Sequence, residues 1–278
     1  MGLYTVFAMI GAGSLGSFIA TELLKTDASV KVLTRDDSKP EWDVLRQSGA
    51  SIVKVDYSDE KALQEVLAGV QVVVSTVSVH GLAAQVDIAK VAKAAGAQLF
   101  VPAEFGFEIT DGTGVMKTIV KDALKDMQLP YVLFQPGFFA DIFHEMFGYN
   151  YVEGRMAVVG KGDKPFSTTS RHDIGRFVAH VLTTAAPSEL EWNTLCFEAD
   201  RLTPQEVASR AEEKLGTSIE ITYLDVDEIK KNYDTDIIAF LYMLIEDGRA
   251  AAWSPEEAQA TVDKYFPNWE PAKFDAFI

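Results

Sequence analysis

The chain has 278 residues, 48% of them hydrophobic and 24% charged, with a formal net charge of −16. That length gives one large domain or two modest ones an ample core, and so acidic a balance repels phosphate backbones, which argues against a nucleic-acid partner. No run of about 20 apolar residues offers a membrane span, Met1-Gly2-Leu3-Tyr4 has no basic leader character, and the single cysteine, Cys196, has no internal disulfide partner; the expected setting is cytoplasmic.

The first half alternates apolar β-type runs with helical periodicity. Strands are expected over 5–10, 30–33, 51–55, 70–76, 98–101 and 131–134, and helices over 15–24, 41–47, 60–67, 82–95 and 116–127. Strands this continuously apolar are covered by helices on both faces. The expected fold is therefore α/β, a Rossmann-type doubly wound parallel sheet. The first expected strand runs into Gly11-Ala12-Gly13-Ser14-Leu15-Gly16, a G-x-G-x-x-G turn opening a helix. Gly11 serves the tight turn, Gly13 admits a pyrophosphate, and Gly16 permits close packing. Helix-start amides at Ser14 and Leu15 favour the negative phosphates.

The second expected strand ends at Arg35. An acidic residue here would bind a ribose 2′-hydroxyl, whereas Arg accommodates a 2′-phosphate, so Arg35, with Lys39 as a second cation, points to NADPH. Asp36 and Asp37 follow at once, and a solvated charge cluster is the competing reading. Asp56, after the third strand, is placed either to meet an adenine amino group or to cap the next helix. Tyr57 and Lys61 have the Y-x-x-x-K spacing of a dehydrogenase pair, but they stand on the adenine side, far from a nicotinamide. Thr76, Val77 and Ser78 end the fourth strand, where open α/β sheets bind ligands; His80 follows in a loop.

Periodicity weakens after Pro136. Phe138, Phe139, Phe143, Phe147, Tyr149 and Tyr151 form an aromatic stretch suited either to an apolar pocket or to a core. Helices are expected over 172–182, 203–215, 236–245 and 255–265, and strands over 194–198 and 219–224. This part reads as a smaller mixed α/β substrate domain over 151–278, beside a nucleotide domain over 1–150, with 172–184 packing back on the first. No metal-ligand spacing is present.

The glycine turn, Arg35, the segment Phe100-Val101-Pro102-Ala103-Glu104-Phe105-Gly106, Lys117 ahead of Pro130, and Arg171-His172-Asp173-Ile174-Gly175-Arg176 together resemble the NmrA-like, isoflavone-reductase-like branch of atypical short-chain dehydrogenases. The resemblance implies an NADPH-binding reductase of a small molecule, with Glu104 and Phe105 on the cofactor side. It also implies Lys117 as the acid–base residue in place of a tyrosine–lysine pair. A lysine in an apolar cleft can exchange a proton with a phenol or carbonyl. Read from spacing alone, Lys117, Lys121 and Lys125 would be a solvated helix face. Ala103 replaces a serine that many relatives carry, and the glycine turn is one residue shorter than in the plant reductases. The leading expectation is an NADPH-dependent reductase of an aromatic, quinone-like or enone-type molecule. The alternative is a non-catalytic NADP(H)-sensing regulator that acts through protein partners.

Overall fold

The computed structural model describes residues 2–251 and 253–278. Its first half runs β1 (Val6–Ile10), α1 (Gly16–Leu24), β2 (Ser29–Thr34), α2 (Trp42–Gln47), β3 (Ser51–Lys54), α3 (Glu60–Leu67), β4 (Val72–Ser75), α4 (Ala84–Ala94), β5 (Leu99–Val101), α5 (Val115–Asp126) and β6 (Val132–Gln135). Each expected strand and helix of this half is present, with ends displaced by a residue or two. The strands form a parallel sheet in the order β3-β2-β1-β4-β5, and a parallel bridge from Phe100 to Tyr131 leads on to β6. Strand order reverses between β1 and β4, and the crevice at that switch point is where doubly wound sheets bind ligands.

The second half runs β7 (Phe138–Phe139), α6 (Phe143–Phe147), β8 (Arg155–Val159), β9 (Phe166–Thr169), α7 (Arg171–Thr184), α8 (Pro187–Leu190), β10 (Asn193–Cys196), β11 (Asp200–Leu202), α9 (Pro204–Leu215), β12 (Glu220–Leu224), α10 (Val226–Lys230), α11 (Ile237–Glu246) and α12 (Pro255–Tyr265). β10 continues the large sheet by pairing parallel with β6. β7, β9 and β11 make one small sheet, and β8 and β12 another.

Three apolar clusters hold these layers. One face of the large sheet packs Met9, Val32 and Val74 against Ile19 and Leu23 of α1, and against Phe177, Phe197 and Trp269 from the second half. Phe177 stacks on Phe197 with centroids 4.0 Å apart. The opposite face buries Ala8, Ile10, Leu33 and Phe100 beneath α3, α4 and α5. The third cluster gathers Phe138, Phe143, Phe147, Phe166, Phe240 and Phe274. α7 reaches α1 because Gly175 has no side chain: a Cβ there would lie 2.9 Å from the Phe18 carbonyl carbon.

Candidate active site

The glycine turn leaves β1 at Gly11, whose φ of +78° is in the left-handed region that favours glycine. Gly16 starts α1 against the end of β4: a Cβ would stand 2.3 Å from Thr76 Oγ1 and 2.5 Å from the Gly11 carbonyl oxygen. Thr76 ties the turn together by donating its hydroxyl to that same oxygen at 2.6 Å. Gly13 is different, for nothing lies within 4 Å of its would-be Cβ. Among the described residues, the backbone amides of Ala12 through Gly16 find no acceptor in the chain, and Leu15 at the helix start makes no side-chain cap. A fan of free N–H groups at a positive helix end, open to approach, is an anion cradle. It fits a pyrophosphate.

Arg171 stands over this cradle, 157 residues away in sequence from Ser14, to whose hydroxyl its guanidinium donates. Asp141 holds it there, accepting from Nε at 2.7 Å and from the Arg171 amide at 3.0 Å. This cation was absent from the sequence-based list of binding residues. The Arg171–Gly175 segment was visible as a motif, but nothing local marked its side chain as a neighbour of the glycine turn.

Arg35 is exposed at the end of β2. Asp36, the residue that clouds its reading, is occupied locally: its carboxylate accepts from the Ser38 amide at 3.0 Å and the Ser38 hydroxyl at 2.6 Å. Those bonds hold its carboxyl below the usual carboxylate range. Lys39 faces Glu41 at 3.5 Å. Asp56 closes a turn on Ser58, and the cap of α3 is Asp59, which accepts from the Ala62 amide. Tyr57 donates its hydroxyl to the Leu33 carbonyl at 2.8 Å, a role that anchors a loop to the sheet. Ser78 and His80 are exposed, whereas Val77 turns toward the cavity described next.

Beyond the ends of β4 and β5 lies a cavity of about 210 Å³. Its walls include Val77, Phe105, Phe107, Phe138, Phe139 and Phe240, and Lys117 is the one charged residue among those lining it. Two roles thus divide the aromatic stretch: Phe138 and Phe139 reach the cavity, while Phe143, Phe147, Tyr149 and Tyr151 fill the third core. Lys117 and Lys121 turn inward from α5, with side chains 16% and 10% exposed, against 56% for Lys125. The row is not one solvated face. Lys117 Nζ lies 3.4 Å from a carboxylate oxygen of Glu104, which is 2% exposed. The segment carrying Glu104 is pinned on both sides: Ala103 N donates to the buried Gln85 side chain at 2.8 Å, and Phe105 stacks on Phe134 with centroids 6.3 Å apart.

Ile237, Phe240 and Leu241 of α11 and Ile109 from the loop before α5 also line the cavity. Asp111 clasps that loop to the second half through Arg249 at 2.9 Å and the Tyr233 hydroxyl at 3.0 Å. No helix among the described residues is long and apolar enough to cross a membrane.

The family model described as the NmrA-like family matches residues 4–278. The isoflavone reductase homolog A622-like of Nicotiana tabacum is 26% identical over 240 residues, covering 79% of this chain and 76% of the relative. The phenylcoumaran benzylic ether reductase PT1 of Pinus taeda is 24% identical and covers 97% of this chain and 100% of its own length. Among solved structures, the leucoanthocyanidin reductase–NADPH complex from Vitis vinifera superposes with a TM-score of 0.85 at 20% identity, over 98% of this chain and 97% of the other.

Proposed function

The chain belongs to the NmrA-like family, and from that premise we propose that it is an NADPH-dependent reductase of a small, flat, largely apolar molecule of phenylpropanoid, quinone or enone type. The observation that carries the reading is Lys117, a lone cation in an otherwise apolar, aromatic cavity at the carboxyl ends of β4 and β5. Such cavities bind by shape and place a few polar groups where the chemistry occurs. The relatives named as reductases, and the grapevine enzyme in complex with NADPH, support it.

In this reading the free amides of Ala12 to Gly16 and the Arg171 guanidinium hold the pyrophosphate. Arg35 meets a 2′-phosphate, with Lys39 beside it, and Asp56 borders the adenine. Thr76, Val77 and Ser78 line the path toward the nicotinamide, with Glu104 and Phe105 at its far end. The bound cofactor supplies a hydride. Lys117 supplies the proton to the oxygen that gains charge as the hydride arrives, and the aromatic walls keep water out. Residues 1–150 would carry the cofactor and 151–278 most of the substrate surface.

NADPH consumption across a panel of quinones, enones and benzylic ethers tests the proposal. Lys117→Met should lower kcat by about 10²-fold or more, the usual scale of a lost general acid, while NADPH still binds as judged by its fluorescence. Wild-type turnover in that variant would remove Lys117 from the mechanism. No turnover with any acceptor, together with marked preference for one redox form, is what the sensing alternative requires.

A further inference from the structure

Glu104 is expensive to keep. It is 2% exposed, and among the described residues neither carboxylate oxygen has a hydrogen-bond partner. A buried ion costs several kcal/mol unless charge compensates it, and a glutamine would fill nearly the same volume without that cost. The backbone that carries it is fixed. Its own amide donates to the Pro102 carbonyl at 2.7 Å, the Gly106 amide donates to the Glu104 carbonyl at 2.9 Å, and the flanking Ala103 and Phe105 are held as described. What faces the carboxylate is cationic: Lys117 Nζ at 3.4 Å, and Lys121 one helical turn farther along α5. Lys121 is itself kept by Glu108, 3.8 Å away at the solvent edge.

We propose that Glu104 is the positioning residue of the site: its buried carboxylate holds the Lys117 ammonium in the cavity until the substrate takes the proton. The inference rests on the reading of Lys117 as proton donor. Lys117 projects from an α5 face that would otherwise let a long, flexible side chain reach water, and an anion behind it fixes where the ammonium sits. In the transfer the Nζ–H bond of Lys117 breaks and an O–H bond forms on the substrate oxygen, while the substrate carbon gains the hydride of NADPH and its C=O π bond, or its benzylic C–O bond, breaks. The reductant leaves as NADP⁺, and the neutral amine recovers its proton from water after product release. Lys121 compensates the Glu104 charge during the interval when Lys117 is neutral.

The groups around Glu104 also set a pH response. Burial raises its pKa above the usual carboxylate range, against the pull of Lys117 and Lys121, and Glu108 adds to the rise. As pH falls through that raised value Glu104 becomes neutral and releases Lys117, so kcat/KM should fall on the acid side at a pH above that of an ordinary carboxylate.

The test compares wild type, Glu104→Gln, Lys121→Met and Lys117→Met, using the panel acceptor that the wild type reduces fastest. Glu104→Gln should fold and still bind NADPH, lose about 30-fold or more in kcat, part of a general acid's contribution, and lack the acid limb. Lys121→Met should move that limb to higher pH, because a cation that stabilised the carboxylate is gone; it reads the same device if Glu104→Gln does not fold. Full kcat with the limb unmoved in Glu104→Gln overturns the inference, and so does lost activity with the limb still in place, which marks a merely structural carboxylate. Full turnover in Lys117→Met is a separate result: it ends the underlying reading of Lys117 itself.

Discussion

Gly13 and Gly16 sit three residues apart in one turn and are needed for opposite reasons. At Gly16 a methyl group would strike Thr76 Oγ1 at 2.3 Å and the Gly11 carbonyl at 2.5 Å, so Gly16→Ala should cost roughly 1–3 kcal/mol of stability, seen as a lower melting temperature. Gly13→Ala meets nothing within 4 Å; it should melt like wild type and lose NADPH affinity, because the methyl enters the space a phosphate needs. Equal melting of the two variants would contradict this division. The cations separate in the same way. Arg35→Asp should weaken NADPH by about tenfold or more, the scale of a charge-assisted hydrogen bond, and leave NADH unweakened. Arg171→Met should weaken both, since both carry the pyrophosphate; titration of the two cofactors by fluorescence checks this. The glycine turn and Arg35, which the proposal gives to the cofactor, were visible because their spacing is local. Arg171 and the inward turn of Lys121 were not, because each depends on a neighbour brought in by folding.

Among the elements, legibility follows periodicity. Buried parallel strands are apolar along their whole length, which is why β1 to β6 stand out between turn signals. Between Phe138 and Thr169 the chain passes through a two-residue strand, a five-residue helix and two further strands, each too short for a single period to show. β9 was hidden by composition: Ser167, Thr168 and Thr169 are buried, with Thr168 and Thr169 donating to the Phe138 and Pro136 carbonyls. The capping box at Thr203, by contrast, starts α9 where its sequence signature stands. The clasp of Asp111, Tyr233 and Arg249 joins elements far apart in the chain and left no local mark. It holds α11 over the cavity, so Arg249→Ala should raise the substrate KM about fivefold, near the upper worth of a partly exposed pair, with NADPH affinity unchanged. A loss of NADPH affinity in place of the KM effect would mean that the clasp serves the other half of the site.

At the scale of the whole molecule, the two halves of the chain share one sheet. β10 extends it beyond β6, and Phe177, Phe197 and Trp269 cover the same face as α1. The glycine turn follows β1 and Lys117 sits on α5, which packs on the other face of that sheet, so in the proposed reading a cofactor lying across the switch point ends where the cavity begins. An acidic chain, at net charge −16, can draw an anion only through local devices, and those proposed are the free amides, Arg35 and Arg171. The central claim is a hydride delivered at the Lys117 cavity and a proton delivered with it. It is tested most directly by mass spectrometry of the product formed from NADPH carrying deuterium at C4 of the nicotinamide, with an enone or benzylic-ether acceptor from the panel, whose reduced carbon keeps the label. One deuterium should appear on the reduced carbon of the product with wild type, from one C4 face only, and product should fall away in Lys117→Met while the cofactor stays bound. Unlabelled product from both C4-labelled forms, or undiminished product in Lys117→Met, would contradict it.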